Sequence, residues 1–259
     1  MNKFEFLAAL QNEAGYFNDA VATHQGDWVV KGFIDVARNI YTISTDTKVV
    51  SKIMELLLFP RLVQFANKYH LKLHLVQYQN FYPDITFVDS DDHLFALDLK
   101  TTYRINANRV NGMTLGAFTG YFRNRASTKN VAFPYGRYTG HYVLGVIYSQ
   151  VSGIDERQVH RLEHLESITS VITDFQFFAQ EKYRIASDRP SSGNTKNIGS
   201  VTEIDKLISG TGPFASLGEE LFDDYWMYYL TNDMARAVEL PKRPYTNLKT
   251  YVAYKCLTT

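Results

Sequence analysis

The stretch from Pro83 to Tyr103, PDITFVDSDDHLFALDLKTTY, predicts an antiparallel β-hairpin. Its two ends are rich in β-branched and aromatic residues, and the polar cluster DSDDH between them is typical of a turn. Side chains two apart on a strand point the same way, so Asp98 and Lys100 should share one face while the neighbouring leucines fill the core behind it. Asp84, near the start of the partner strand, can reach the same spot.

Two carboxylates and an amine at one spot are the groups that a metal-dependent phosphodiesterase needs. A hard cation such as Mg²⁺ takes oxygen ligands, so one or two carboxylates plus waters and a substrate phosphate suffice. Such a metal polarises the phosphoryl oxygen and supplies a hydroxide, and a lysine beside it can orient the attacking water or neutralise developing charge. The short pattern is also compatible with an ordinary hairpin whose polar face is solvated.

Composition predicts one globular protein. The 259 residues are 45% hydrophobic and 21% charged, which suits one large domain, or one domain with a small appendage. We find no signal peptide and no run long enough to span a membrane. The single cysteine, Cys256, excludes an internal disulfide and fits a reducing cytosol, so we expect a cytoplasmic protein.

The distribution of charge favours a nucleic-acid partner although the net charge is zero. The segment 99–154 has no acidic residue, whereas acidic residues crowd the segment 219–233. A locally basic surface is what a phosphate backbone selects for, through counterion release. The alternative is that the two segments pair with each other. The basic residues concerned are Lys100, Arg104, Arg109, Arg123, Arg125, Lys129 and Arg137.

The coarse order of elements predicts a mixed α/β fold in which a central sheet is flanked by helices. Asp46 is a suitable N-cap for a helix from Thr47, which Pro60 should kink or divide. Strands are expected over 72–77, 84–88, 94–103, 138–151 and 176–186, and further helices over 4–20, 115–124, 201–208 and 217–231.

Glu55 stands within the apolar part of the helix that begins at Thr47. A buried carboxylate is costly unless it is paired or metal-bound. It either lies wet at the edge of the apolar stripe or points toward the acidic site of the hairpin.

Over most of its length the chain resembles the EcoRV family of type II restriction endonucleases. The matching stretches occur in the family's order and at nearly its spacing, which a chance motif match would not produce. They are TDTKV at 45–49 with Glu55-Leu56, QNFYPD at 79–84, DLKTTY at 98–103, TLG at 114–116, Arg123-Asn124, TKN at 128–130, SGNT at 192–195, NIGS at 197–200 and DYW at 224–226.

The resemblance implies a fold, a reaction and residue roles. The fold would be the restriction-endonuclease-like PD-(D/E)xK core, in one domain over 1–259 with small dimerisation and DNA-recognition subregions. Asp84 and Asp98 would bind Mg²⁺, Lys100 would be the catalytic lysine, and Glu55 an accessory acid and metal ligand. The residues that would contact double-stranded DNA are Asp46, Lys48, Gln79, Asn80, Thr101, Thr102, Thr114, Lys129, Ser192, Gly193, Asn194, Thr195, Lys196 and Asn197.

The segment from Ser191 to Asn197, which would enter the major groove, also has a composition suited to DNA recognition, independently of the resemblance. Asparagine can bind adenine in a bidentate way, a threonine methyl can touch the thymine methyl, and glycine lets the backbone approach base edges. Asn194 and Thr195 are the residues best suited to these two tasks. A surface loop of no special role would have a similar composition.

The resemblance suggests a homodimer that cuts the palindrome GATATC bluntly at its centre, or a related palindrome. Departures from the family pattern at Tyr78, Gly120, Ser191 and Lys196 bear on specificity and leave the catalytic set intact. Other hypotheses are a less specific repair or mobile-element nuclease and a DNA-binding protein without catalysis.

Other candidate sites are weaker. His160 and His164 have the spacing of two ligands on a helix face, but no HExxH motif is present. The turn 89–92 lacks the glycine and glutamate of a calcium loop. The aromatic cluster 225–229 could stack on single-stranded bases, but packing against the core is the simpler interpretation.

Overall fold

The computed structural model describes residues 1–76, 78, 80–154, 158–192 and 195–255. Among these, no helix combines the length and apolar character needed to cross a membrane. The α-helices are α1 (Lys3–Asn12), α2 (Ala14–Asn18), α3 (Thr47–Lys68), α4 (Lys182–Ile185), α5 (Ile204–Ser209), α6 (Glu219–Tyr228), α7 (Asn232–Ala237) and α8 (Leu248–Lys255). Short 3-10 helices cover Gly120–Phe122, Tyr135–Arg137 and Leu162–Ser167.

The strands are β1 (Gly32–Ile34), β2 (Asn39–Thr42), β3 (Lys72–Leu75), β4 (Ile85–Val88), β5 (Leu94–Asn106), β6 (Arg109–Val110), β7 (Thr114–Ala117), β8 (Tyr138–Gln150), β9 (Val159–Arg161), β10 (Ile172–Glu181), β11 (Ala186–Pro190) and β12 (Asn197–Ser200). The central sheet has the order β10-β8-β5-β4-β3, with β6 paired to β5. Two smaller sheets have the orders β1-β2-β9 and β11-β12-β7.

The central sheet is mixed, as predicted, because β5 and β8 run parallel while the other neighbours on the strand path are antiparallel. The predicted hairpin is β4–β5, in register from Ile85↔Leu97 to Val88↔Leu94. The sheet is covered on both faces, so β5 is apolar on both sides over much of its length.

Alternation along β5 sends its side chains into two separate cores. Leu97 and Leu99 join the core formed with α1, α2 and α3, where Phe6 stacks on Phe95 at 4.5 Å between ring centroids. Ala96 joins the other core, which is rich in aromatic side chains from the C-terminal part of the chain. Asp98 and Lys100 therefore lie on the second face, toward β7 and α6.

Helix α3 begins at Thr47 behind an Asp46 N-cap, as predicted. Pro60 lies inside one continuous helix, so the expectation that it would divide the helix is wrong. Pro60 removes the amide that would bond to the carbonyl of Leu56. Both residues are exposed, so water can satisfy that carbonyl.

The helix predicted over 115–124 is wrong. Residues Thr114–Ala117 form β7, and a 3-10 turn follows. Gly116 and Gly120 both adopt a positive φ, which a right-handed helix does not allow, and β7 gains its hydrogen bonds from β12. The pair His160 and His164 likewise does not share a helix face, because His160 lies in β9.

The aromatic cluster of α6 packs against the core, as the simpler interpretation held. Tyr225 and Trp226 are fully buried, whereas Tyr228 is exposed. Tyr225 also donates its hydroxyl to the carbonyl of Asp188 in β11. The C-terminal helices thereby support the β11-β12-β7 sheet.

Candidate active site

The two strands of the β4–β5 hairpin hold Asp84 and Asp98 against each other. The amide of Leu99 donates to Oδ2 of Asp84 at 2.8 Å. The amide of Asp84 donates to Oδ1 of Asp98 at 3.4 Å. Each carboxylate is thus oriented by the backbone of the opposite segment, which fixes the pair without any bound ion.

Lys100 lies between the two carboxylates. Its Nζ is 3.8 Å from Oδ2 of Asp84 and 3.7 Å from Oδ2 of Asp98. Burial lowers the pKa of Lys100, but the nearby charges of Asp98, Asp84 and Glu55 outweigh it and the net pKa is raised. Lys100 is therefore an ammonium ion at neutral pH.

The pKa of Asp84 is raised to about 6. Burial is the main cause; the charge of Lys100 opposes it and that of Asp98 adds to it. A carboxyl group whose ionised form is destabilised by burial is well placed to bind a cation, because the cation stabilises the ionised form.

Glu55 satisfies both interpretations of its position in α3. It is half-exposed and binds Lys52, with 2.6 Å between Nζ and Oε2. It also lines the same cavity as Asp84 and Lys100, and its charge acts on the pKa of both. Helix α3 therefore adds a third carboxylate to the rim of the site.

An open cavity of about 290 Å³ lies over the carboxylates. Thr101, Thr102 and Thr114 line it, as expected of residues near a phosphate. Thr102 is buried and donates to the carbonyl of Asn111 at 2.5 Å, so its hydroxyl is engaged within the protein. Thr101 is half-exposed and Thr114 exposed, so both can present a hydroxyl to a ligand.

Thr47 and Ser51 also line this cavity, and the sequence analysis missed them. Together with Glu55 they follow a spacing of four residues along α3. That spacing places all three on one helix face. The four-residue spacing is visible in the sequence, but it indicates a shared site only once Glu55 is known to face the hairpin.

Asp46 acts first as a helix cap. Its Oδ1 accepts from the amides of Lys48 and Val49 at 2.9 and 3.1 Å. The side chain of Lys48 is exposed at the start of α3.

Replacing Asp46 by alanine should lower the free energy of unfolding by about 1 kcal/mol, because two amides of the first turn lose their acceptor. Asparagine keeps the acceptor, so Asp46→Asn should lose only a few tenths of this. Urea unfolding of the three proteins measures the difference. Equal stability of Asp46→Ala and the wild type would show that the cap contributes nothing.

The segment that carries Lys129 is hydrogen-bonded to the start of the β4–β5 hairpin. Asn130 accepts from the amide of Tyr82 at 3.0 Å, and the amide of Ala132 donates to the carbonyl of Tyr82 at 2.9 Å. The side chain of Lys129 is exposed and makes no ion pair within the described ranges. Asn80, two residues before Tyr82, is exposed. Gln79, which was also predicted to contact DNA, lies outside the described residues.

The segment predicted to enter the major groove connects β11 to β12. Ser191 donates its amide to the carbonyl of Asn197, and Thr195 donates its amide to Ser192, both at 3.0 Å. The Thr195 hydroxyl lies 3.3 Å from that of Ser191. Lys196 is exposed. The predictions for Gly193 and Asn194 lie outside the described residues.

The basic segment is only in part a free basic surface. Arg125 binds Asp223 with 2.7 Å between Nη1 and Oδ2, which is the pairing of basic with acidic segment that the alternative predicted. Arg104 binds Asp174 at 2.9 Å. Lys129 and Arg137 have no such partner in the part of the chain that the structure describes. Part of the positive charge of the segment is therefore neutralised within the protein, and part remains available to a ligand.

A second group of metal-type ligands lies at the turn of the hairpin. The ligand atoms of Asp89, Asp91 and His93 all lie within 4.8 Å of one another. The Met1 ammonium already binds Oδ2 of Asp89 at 2.6 Å, and Nδ1 of His93 lies 3.0 Å from the same atom. These contacts lower the pKa of Asp89 although burial opposes them. The Met1 ammonium therefore already neutralises one carboxylate of this group.

Comparison with known protein sequences matches the chain to a family. The family described as restriction endonuclease EcoRV matches residues 24–256. The chain belongs to the EcoRV restriction endonuclease family. It is 33% identical over 226 residues to the type II restriction enzyme EcoRV of Escherichia coli, covering 86% of this chain and 89% of that protein. Membership of the EcoRV family makes the chain a site-specific deoxyribonuclease by class, and confirms the resemblance and the fold class predicted from the sequence.

Proposed function

We propose that this member of the EcoRV family is a homodimeric, Mg²⁺-dependent type II restriction endonuclease that cleaves double-stranded DNA at a short palindrome. The observation that carries the proposal is the convergence of Asp84 and Asp98 on Lys100, within 4 Å, beneath an open cavity. An intact acidic pair beside an ammonium argues against a non-catalytic DNA-binding protein. A less specific nuclease would share this chemistry, and membership of the EcoRV family favours the restriction enzyme over it.

The donor set fits a hard cation. Asp84 and Asp98 offer carboxylate oxygens from adjacent strands, Glu55 stands at the rim, and the cavity leaves room for waters and a phosphate. When bound, Mg²⁺ would polarise the phosphoryl group and lower the pKa of a water ligand. The protein holds the two aspartates by backbone hydrogen bonds, so little reorganisation is needed when a cation arrives.

Lys100 would supply a fixed positive charge to the phosphate in the transition state. As an ammonium ion it can stabilise the negative charge that develops on the phosphate oxygens, or hold the attacking water. Thr101 and Thr114 would bind neighbouring phosphates from the wall of the cavity.

The β1-β2-β9 sheet supports the proposed dimer. Phe33, Ile34 and Val36 are all exposed at one end of it, and Val159 is exposed on β9. Several large apolar side chains exposed on one small sheet are typical of an interaction surface. A two-fold dimer would present two identical sites to the two strands of a palindrome. Sedimentation velocity measures whether the chain is a monomer or a dimer.

Specificity is proposed to reside in the segment 191–197, with GATATC or a related palindrome cut bluntly at its centre. Lys196 and Ser191 depart from the family pattern within this segment, and Tyr78 within the segment expected along the minor groove. These are the positions at which a related site would be selected.

A plasmid digest with Mg²⁺, followed by mapping of the fragment ends, tests the proposal. Discrete fragments with blunt ends at a palindrome support it. A smear would instead identify the less specific nuclease, and retarded but uncut DNA the non-catalytic binding protein. The Asp98→Ala protein, assayed in parallel, controls for a contaminating nuclease.

Replacing Lys129 by alanine should weaken binding to all DNA sequences alike. An exposed lysine next to the catalytic segment is placed to contact a phosphate, and loss of one such contact reduces the slope of log K against log salt by about 1. Anisotropy titrations on cognate and unrelated duplexes at several salt concentrations measure both quantities. A loss confined to one sequence would contradict a phosphate contact.

A further inference from the structure

Lys182 is a buried cation that the proposed chemistry does not use. It is the first residue of α4, between the end of β10 and the strand β11. The residue is 2% exposed. Its Nζ has no hydrogen-bond partner among the described residues. An ammonium in that state is expensive to bury unless other groups compensate it.

Aromatic rings take the place of hydrogen-bond acceptors around this ammonium. Nζ lies 4.9 Å from the ring centroid of Tyr82, 5.6 Å from that of Tyr135 and 6.0 Å from that of Phe122. The negative faces of such rings attract a cation. We refer to Tyr82, Tyr135 and Phe122 as the aromatic cage.

The backbone of β7 closes another side of the aromatic cage. A Cβ placed on Gly116 would lie 3.3 Å from Nζ of Lys182 and 3.2 Å from the hydroxyl of Tyr121. Gly116 has a φ of +97°, which favours glycine there for conformational reasons as well. The ammonium is therefore enclosed by the strand that also carries Thr114 to the cavity.

The aromatic cage is joined directly to the catalytic hairpin. Tyr82 precedes Pro83 and Asp84 in the chain, and its hydroxyl lies 2.7 Å from Nδ1 of the buried His141. Tyr82 also stacks on Tyr121 at 5.0 Å. A shift of the Tyr82 ring would act on the position of Asp84 through the two peptide units that join them.

The balance of charge agrees with this geometry. Burial lowers the pKa of Lys182 to about 8, the charge of Asp98 raises it, and that of Lys100 lowers it again. At neutral pH the group is thus charged and feels both the carboxylate and the ammonium of the candidate active site. A methionine would fill similar space without the cost of a buried charge.

We propose that Lys182 is a positioning residue that holds Tyr82, and through it Asp84, in register with Asp98. The proposal rests on the proposed nuclease function. The cation holds the Tyr82 ring by attraction to its face, in addition to the hydrogen bond to His141 and the stacking on Tyr121.

Lys182→Met provides the test, with Lys206→Met as a matched control on an exposed lysine of α5. The single-turnover cleavage rate at saturating protein should fall about 100-fold, the scale expected when a reacting group is misplaced by ~1 Å. The protein concentration for half-maximal rate should stay within about twofold, because no DNA contact is removed. The melting temperature should be equal or higher, because a buried unpaired charge is removed.

The stability result separates positioning from a structural role. A role in holding the fold predicts a lower melting temperature for Lys182→Met, together with the lower rate, and that result would overturn the proposal. An unchanged cleavage rate would overturn it as well. Failure of the wild-type protein to cleave DNA would count against the proposed function instead, and so remains distinguishable.

A double-mutant cycle tests whether Lys182 acts through Tyr82. Tyr82→Leu removes the ring that the ammonium faces. If the two residues act as one unit, the double variant should cleave at the rate of Tyr82→Leu alone. A double variant slowed by the product of the two single effects would show that Lys182 acts independently of Tyr82, which contradicts the proposal.

Discussion

Asp98→Ala should reduce cleavage at least about a thousandfold, since a metal contributes several kcal/mol to phosphoryl transfer and each 1.36 kcal/mol is a factor of ten. Asp98 is 5% exposed and its Oδ2 faces Lys100, so no other side chain can readily take its place. The variant should remain folded, because removing the carboxylate leaves Lys100 paired with Asp84. Single-turnover cleavage with Mg²⁺ measures the loss, and circular dichroism and DNA binding check the fold.

Asp91→Ala is the matched control on the same hairpin. Asp91 is exposed and belongs to the group with Asp89 and His93 at the turn. This variant should cleave at nearly the wild-type rate. If Asp91→Ala abolished cleavage and Asp98→Ala did not, the catalytic metal would have to lie at the turn, and the proposed site would be wrong.

Lys100→Ala should lower the single-turnover rate about 10²–10³-fold, the usual cost of removing one group that stabilises transition-state charge. Affinity for DNA should change far less, because the ammonium is held between two carboxylates and acts mainly in the transition state. Loss of its charge also allows the pKa of Asp84 to rise further, since Lys100 lowers it. The rate at saturating protein and the equilibrium affinity are the two measurements required.

Lys52→Ala is a suitable comparison for Lys100. Lys52 is an exposed lysine that binds Glu55 at the rim of the same site. A general need for positive charge near the cavity predicts similar losses for the two variants. A specific role for Lys100 predicts a much larger loss for Lys100→Ala, and a Lys100→Ala protein of unchanged rate would reduce that residue to a structural partner of the carboxylates.

The features that could be predicted from the sequence are those set by residues close together in the chain. The hairpin follows from alternation and a polar turn within Pro83–Tyr103, and α3 follows from the Asp46 cap. The convergence of Asp84, Asp98 and Lys100 is a consequence of that one hairpin. Local rules therefore sufficed for the chemical centre of the site.

The features that were missed depend on distant partners. Residues Thr114–Ala117 form a strand because β12 supplies hydrogen bonds from 80 to 85 residues further along the chain, and no local pattern shows this. The sequence predicts a strand at Lys182, and its aromatic cage could not be predicted because the three rings come from separate segments. The contribution of Thr47 and Ser51 to the cavity becomes visible only when α3 is docked on the sheet.

The pairing of β7 with β12 also affects the order in which parts of the structure can be completed during synthesis. The β4–β5 hairpin, which carries both aspartates and Lys100, is complete once residue 106 has emerged from the ribosome. The strand β7 must wait for residues 197–200 before it has a partner. The residues that bring the carboxylates together are therefore synthesised long before those that give β7 its partner. Because a domain folds as a unit, the segment proposed to select a DNA sequence can take up its place only after most of the protein has been made.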